Sequence, residues 1–173
     1  VRRSTILMGP RRVGKTVMLR QLIEKAINEG FSGQNILFVS IDTPLYSGMP
    51  LSRLIDLFEE ETEHDAHARR IIVFDEIQYL KDWEVHLKVL TDQHPNTRFI
   101  ASGSAAAALR LKSQESGAGR FTDFFLPPLT FAEFLAFREM EADLIKSAPL
   151  GATLRFSTPD IERLNEEFIN YLN

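Results

Sequence analysis

Cysteine is absent from the 173 residues, which excludes disulfides and thiolate metal sites and fits a reducing, cytoplasmic compartment. No apolar run approaches the ~20 residues that a membrane-spanning helix needs, and no signal peptide is visible. A surplus of positive charge is missing too. Twenty Lys and Arg stand against 24 Asp and Glu, a net charge of −4, so general nucleic-acid binding is not suggested. Histidine is scarce at four residues. His64 and His67 stand three apart in an acid-rich stretch with no further ligand beside them, which is a poor metal site. Internal repeats and low-complexity tracts are lacking. The chain opens at Val1, nearly on its first apolar run, without an initiator Met. It stops at Asn173 within or just after an amphipathic segment, so a fragment of a longer protein, or a chain with its flanks removed, is expected.

What is present centres on Gly9-Pro10-Arg11-Arg12-Val13-Gly14-Lys15-Thr16, a match to G-x-x-x-x-G-K-[ST] at every fixed position. Ile6-Leu7-Met8 before it reads as a buried strand. Met18, Leu19, Leu22, Ile23, Ala26 and Ile27 after it recur on a helical period. Strand, glycine-bounded loop and helix make a phosphate cradle. Gly9 and Gly14 are expected to adopt backbone angles that side chains forbid, turning N–H groups toward an anion. The start of the helix, through Val17, adds a favourable field. Lys15 would neutralise β- and γ-phosphates, and the Thr16 hydroxyl would ligate Mg²⁺. Arg11-Arg12 could favour an anion's approach or simply be solvated. A turn that merely precedes an amphipathic helix is the plainer alternative, and it leaves Lys15-Thr16 unexplained. No N-K-x-D guanine box accompanies the loop, so ATP rather than GTP is the expected nucleotide.

Further along, strand-like apolar runs alternate with helical patterns. Strands are predicted at 35–42, 70–75, 98–103 and 121–126. Helices are predicted at 14–28, 51–63, 82–94 and 105–111. The alternation argues for a three-layer α/β domain with right-handed crossovers. A core domain over 1–127 and a helical extension over 128–173 are expected. Helix is predicted from Phe131 toward Ile145, and Thr158-Pro159 is the predicted start of a last helix.

Asp75 and Glu76 end the third run. Asp75 there can hold the water shell of Mg²⁺, while Glu76 polarises the water that attacks the γ-phosphate. The plainer alternative makes Asp75 a helix cap with Gln78 three residues on. Ser102 is placed to touch the γ-phosphate or that water, or is only a strand-end serine. Arg120, after Gly119, is a candidate phosphate contact in its own subunit or a neighbour's, with a surface role as the alternative. Asp42 could assist Mg²⁺ or merely start a turn. Arg69-Arg70 reads as a surface pair where the strand begins.

Taken together, the loop at 9–16, Phe-Asp-Glu-Ile-Gln at 74–78 with Trp83 following, Ala-Ser-Gly-Ser at 101–104, Gly119-Arg120 and Pro128-Leu129-Thr130-Phe131-Ala132-Glu133-Phe134 resemble the AAA-superfamily ATPases of the prokaryotic AAA_14 type. These are relatives of the archaeal ATPases and the STAND group. The resemblance covers nearly the whole chain. It implies an α/β P-loop NTPase fold with parallel strand order 5-1-4-3-2, ATP and Mg²⁺ as ligands, and a helical extension after the fifth strand. It also implies a further C-terminal domain, with an unknown protein partner, and leaves room for a homo-oligomer. The expected function is an ATPase that couples nucleotide state to a conformational change. A nucleotide-gated scaffold with little turnover and a small-molecule phosphotransferase are the alternatives. Ser102 stands where the family more often has Thr, which preserves the hydroxyl.

Overall fold

The computed structural model describes residues 3–46, 48–62, 68–104 and 119–172. The helix expected at 105–111, the loop at 113–118, and His64 and His67 lie outside these residues. Two compact units divide the chain, Val1–Pro127 and Pro128–Asn173.

The first unit is built on five parallel strands: β1 (Ser4–Gly9), β2 (Ile36–Ser40), β3 (Arg70–Asp75), β4 (Thr97–Ser104) and β5 (Phe121–Phe125). Their spatial order is β2-β3-β4-β1-β5, the order that the resemblance implied. Near-continuous apolar runs such as Ile71-Ile72-Val73-Phe74 suit strands covered on both faces, and all six residues of β3 are buried. The alternation of side chains sorts the core into two layers. Ile6, Met8, Ile72, Phe74, Phe99 and Ala101 pack on one face with α2 (Leu51–Thr62) and α3 (Trp83–Gln93). Leu7, Ile71, Val73 and Ile100 face α1 (Lys15–Asn28) through Leu19, Ile23 and Ala26. Trp83, Leu87 and Leu90 form the buried stripe predicted for α3. The stripe predicted for α1 is narrower than expected, because Met18, Leu22 and Ile27 are exposed.

Helix α1 stops where Gly30 turns to φ +91°. There the Phe31 N–H bonds the Ala26 carbonyl and the Gly30 N–H bonds that of Ile27, so the last carbonyls of the helix are satisfied.

The second unit holds α4 (Phe131–Phe137), α5 (Glu141–Leu144), an antiparallel hairpin of β6 (Lys146–Leu150) and β7 (Thr153–Ser157), and α6 (Ile161–Leu172). The hairpin corrects the purely helical reading of this region. Every residue of its two strands is exposed, so burial left no periodic mark in the sequence. Thr130 and Glu133 close a reciprocal capping box at the start of α4. At the last helix the cap is Asp160, whose Oδ1 accepts from the Arg163 N–H at 3.0 Å. Thr158 instead accepts from the Asp160 N–H at 3.2 Å, two residues earlier than a cap must act. Phe131, Phe134, Phe168 and Tyr171 gather their rings between α4 and α6.

Candidate functional site

Most of the candidate residues collect where β1, β3 and β4 end. In a parallel sheet those carboxyl ends share one edge, so residues far apart in sequence converge there. Glycines 9 and 14 act differently. Gly14 is left-handed at φ +96° and caps α1 without any side-chain hydrogen bond. The first N–H groups of α1 therefore keep no side-chain acceptor, and no acidic residue stands in its first turn. Such free donors favour an anion. Gly9 has no positive φ; a Cβ there would lie 2.3 Å from the Leu126 carbonyl oxygen. It is required for close approach, which corrects the expectation that it supplies an unusual backbone angle.

The Lys15 side chain curls back over the loop, its Nζ donating to the Pro10 carbonyl at 2.8 Å and to the Gly9 carbonyl at 3.2 Å. Only 4% of Lys15 is exposed. The ammonium is thus held at the centre of the cradle, with a donor to offer to a phosphate oxygen. Arg12 turns the loop at φ 66°, and both it and Arg11 are solvated. Arg11 reaches the Tyr79 hydroxyl at 3.4 Å. Val17 is 57% exposed and brings only its backbone to the helix start.

Thr16 and Asp75 meet. The Thr16 hydroxyl donates to Asp75 Oδ2 at 2.7 Å, which joins the phosphate loop to the end of β3. Asp75 Oδ1 accepts from the Ser102 hydroxyl, and Ser102 in turn accepts from the Glu76 N–H at 3.1 Å. Ser102 is fully buried and Asp75 nearly so. A buried carboxylate must be satisfied on both oxygens, and here β4 and the loop each supply one donor.

Glu76 is half-buried and left-handed at φ 54°. A non-glycine residue held there is uncommon, and such strain gathers at functional sites. Its carboxylate accepts from the Gln78 side-chain amide. The Gln78 carbonyl accepts from the Ser104 N–H at 3.1 Å. Gln78 therefore fixes the glutamate to the end of β4. Its part in the site was missed from sequence, although its place within Phe-Asp-Glu-Ile-Gln was a usable signal.

Two expected residues are elsewhere. Arg120 stands just before β5, where its carbonyl accepts from the Ser4 N–H at 2.8 Å, and its side chain pairs with Asp92 at 2.7 Å. Ser4 and Gly9 are the two ends of β1, ~17 Å apart at the usual strand rise. A phosphate contact within its own subunit is out of reach from there. Asp42 accepts from the Ser40 hydroxyl at 2.6 Å in an exposed turn, which is the turn-forming alternative.

Among the described residues no group of three or more His, Cys, Asp or Glu could hold a metal. Thr16 and Asp75 offer a two-point anchor. That fits Mg²⁺, which keeps several waters and is usually held by one or two protein ligands plus substrate phosphates.

A phosphate loop between β1 and α1, with a buried carboxylate ending β3, defines a P-loop NTPase-like three-layer domain. The chain belongs to the AAA_14 family, an AAA domain, which matches residues 1–135. It is 25% identical over 137 residues to an uncharacterized protein of Haemophilus influenzae, covering 79% of this chain and 34% of that protein. Two uncharacterized proteins of Methanocaldococcus jannaschii are also similar. One is 31% identical over 131 residues, 75% of this chain and 27% of its own. The other is 27% identical over 168 residues, 97% of this chain and 33% of its own. The chain thus spans about a third of the length of these relatives. Membership in an AAA-type family points to nucleotide-binding, ATPase-like function. Among the described residues no helix is long and apolar enough to cross a membrane.

Proposed function

We propose that residues 1–127 bind ATP with Mg²⁺ and hydrolyse it, slowly in isolation, and that the whole protein uses the cycle to drive a conformational change. The observation that carries this reading is the 2.7 Å contact between Thr16 and Asp75, with Glu76 next in the chain. Lys15 and the open N–H groups of α1 hold the β- and γ-phosphates. Thr16 and Asp75 hold the metal. Mg²⁺, when bound, neutralises charge that develops on the phosphates. Glu76 orients a water and accepts its proton as the new O–P bond forms and the bond to ADP breaks. The proton then passes to the released phosphate. Ser102 aims the Asp75 carboxylate by donating a hydrogen bond to its Oδ1. An arginine from a second subunit would add further stabilisation, worth ~10³–10⁵ in rate where such residues act. A cysteine-free domain that uses ATP fits the cytoplasm.

Two substitutions test the reading by phosphate release and titration calorimetry. Glu76→Gln keeps the shape but loses the base, and should cut turnover by ~10²–10⁴ while leaving ATP affinity intact or tighter. Lys15→Ala should weaken ATP binding by about 2 kcal/mol or more, as expected for a charge-assisted contact. Unchanged turnover in Glu76→Gln would make Glu76 a helix-start carboxylate and overturn its assignment as the base, whereas a parent chain that binds ATP and releases no phosphate would be a binding module. Phosphate appearing only with an added acceptor would make it a phosphotransferase.

A further inference from the structure

At the opposite end of the same sheet, where the strands begin, lies a cleft of about 930 Å³. It is within the size range of small-molecule sites. Four arginines line it: Arg3 before β1, Arg69 and Arg70 at the start of β3, and Arg98 on β4. The carboxylate in the lining is Glu29, which also stands 3.9 Å from Lys25. Three of the four, Arg3, Arg69 and Arg98, have no acidic partner among the described residues, and like charges gathered in this way favour an anion.

Two buried groups sharpen the case. Arg70 is 5% exposed and its guanidinium pairs with Glu59, yet its Nε has no partner. Thr97 is 9% exposed, and its hydroxyl is likewise unpartnered. Both line the cleft. A buried donor left unmet is unfavourable, and a small shift of either side chain toward an oxyanion in the cleft would satisfy it. Arg3, Arg69 and Arg98 are exposed and make no ion pair among the described residues. Their forked donors remain available for bidentate contacts. The C-terminus of α1 also lies here, and its dipole disfavours an anion. The capping of its carbonyls by Gly30 and Phe31 reduces that opposition.

We propose that this cleft is a second binding site, separate from the phosphate loop, for a small molecule carrying two or more phosphate groups. The arginines come from three separate strand beginnings, so a ligand with more than one anionic group satisfies them better than a single ion. The apolar walls, Phe31, Ile71 and Phe99, suit an organic body between those groups. Concavity favours a small molecule over a nucleic-acid strand, for which a continuous basic stripe is the usual footprint.

The test uses inorganic pyrophosphate, titrated by calorimetry into the chain carrying Lys15→Ala so that the phosphate loop does not compete. Saturable binding is expected, weakening with salt. Adding Arg69→Gln and Arg98→Gln should weaken it by about tenfold or more, the order of a lost charge-assisted hydrogen bond. Both positions are exposed, and thermal unfolding checks that the fold survives. In the parent chain, pyrophosphate should also slow phenylglyoxal modification of Arg69 and Arg98, located by mass spectrometry. Absence of binding at millimolar pyrophosphate, or binding indifferent to both arginines, overturns the site. Equal affinity for tricarballylate overturns its preference for phosphate. A short single-stranded oligonucleotide that binds more tightly through the same arginines overturns the small-molecule assignment.

Discussion

The side-chain amide of Gln78 donates to the carboxylate of Glu76, two residues before it. With its other end accepting from the Ser104 N–H at 3.1 Å, Gln78 makes the position of Glu76 depend on β4 rather than on its own turn alone. A candidate base aligned in this way is sensitive to the loss of a residue that never touches the phosphate.

Gln78→Ala should therefore lower kcat by ~10–100-fold, the scale of misalignment by about an ångström. ATP affinity should stay nearly the same, since Lys15, Thr16 and Asp75 are untouched. Turnover against ATP concentration, with calorimetric affinity alongside, separates the two effects. Equal losses in both would make Gln78 a structural support only.

Gly9→Ala should destabilise the domain by about 1–3 kcal/mol, the usual range for overpacking, because the new methyl meets a backbone oxygen that has little room to move. Gly33→Ala is the matched control: its φ is not positive and nothing lies within 4 Å of the added carbon. It should be neutral or slightly stabilising. Thermal unfolding of both variants gives the comparison, and similar melting temperatures would refute the close-approach role.

Stability should also depend on pH through His94. Its pKa is lowered from the ordinary 6.5, first by burial and then by the Arg70 guanidinium, against the opposing carboxylates of Glu59 and Asp56. The unfolded chain accepts a proton that the folded ring resists. Stability is therefore complete above about pH 6.5 and is lost as pH falls from there toward the lowered folded value. Urea midpoints at about pH 7.5 and 5.5 should differ less in His94→Gln than in the parent. An unchanged difference would assign the acid sensitivity to other groups.

Much of the fold was legible because burial on both faces leaves unbroken apolar runs, as in Ile71-Ile72-Val73-Phe74. The meeting of Thr16 and Asp75 was legible for another reason: a loop that leaves β1 and the last residue of β3 share the carboxyl edge of a parallel sheet. The hairpin at 146–157 escaped because nothing on it is buried and Pro149 breaks any strand pattern. Arg70 was taken for a surface residue, since a charged pair at a strand's start says nothing of the α2 carboxylate that meets it. Of the alternatives for Arg120, the contact within its own subunit could already be set aside from the parallel order, which puts the start of β5 away from the loop. The contact between Gln78 and Ser104 was invisible because it joins a turn to a neighbouring strand.

The order of the sheet also bears on when the site can exist. Among the described residues β1 is hydrogen-bonded to β4 and β5 alone, with Thr5 opposite Ile100 and Ser4 opposite Phe121. Within this sheet the strand that leads into the phosphate loop precedes its partners in sequence and finds them last. During synthesis from the N-terminus it has no neighbour until β4 emerges, and closing so long a segment is slow. Meanwhile β2 and β3 pair with each other and can form early. Nucleotide binding therefore waits on β4, and ATP could stabilise the finished sheet without guiding its first steps.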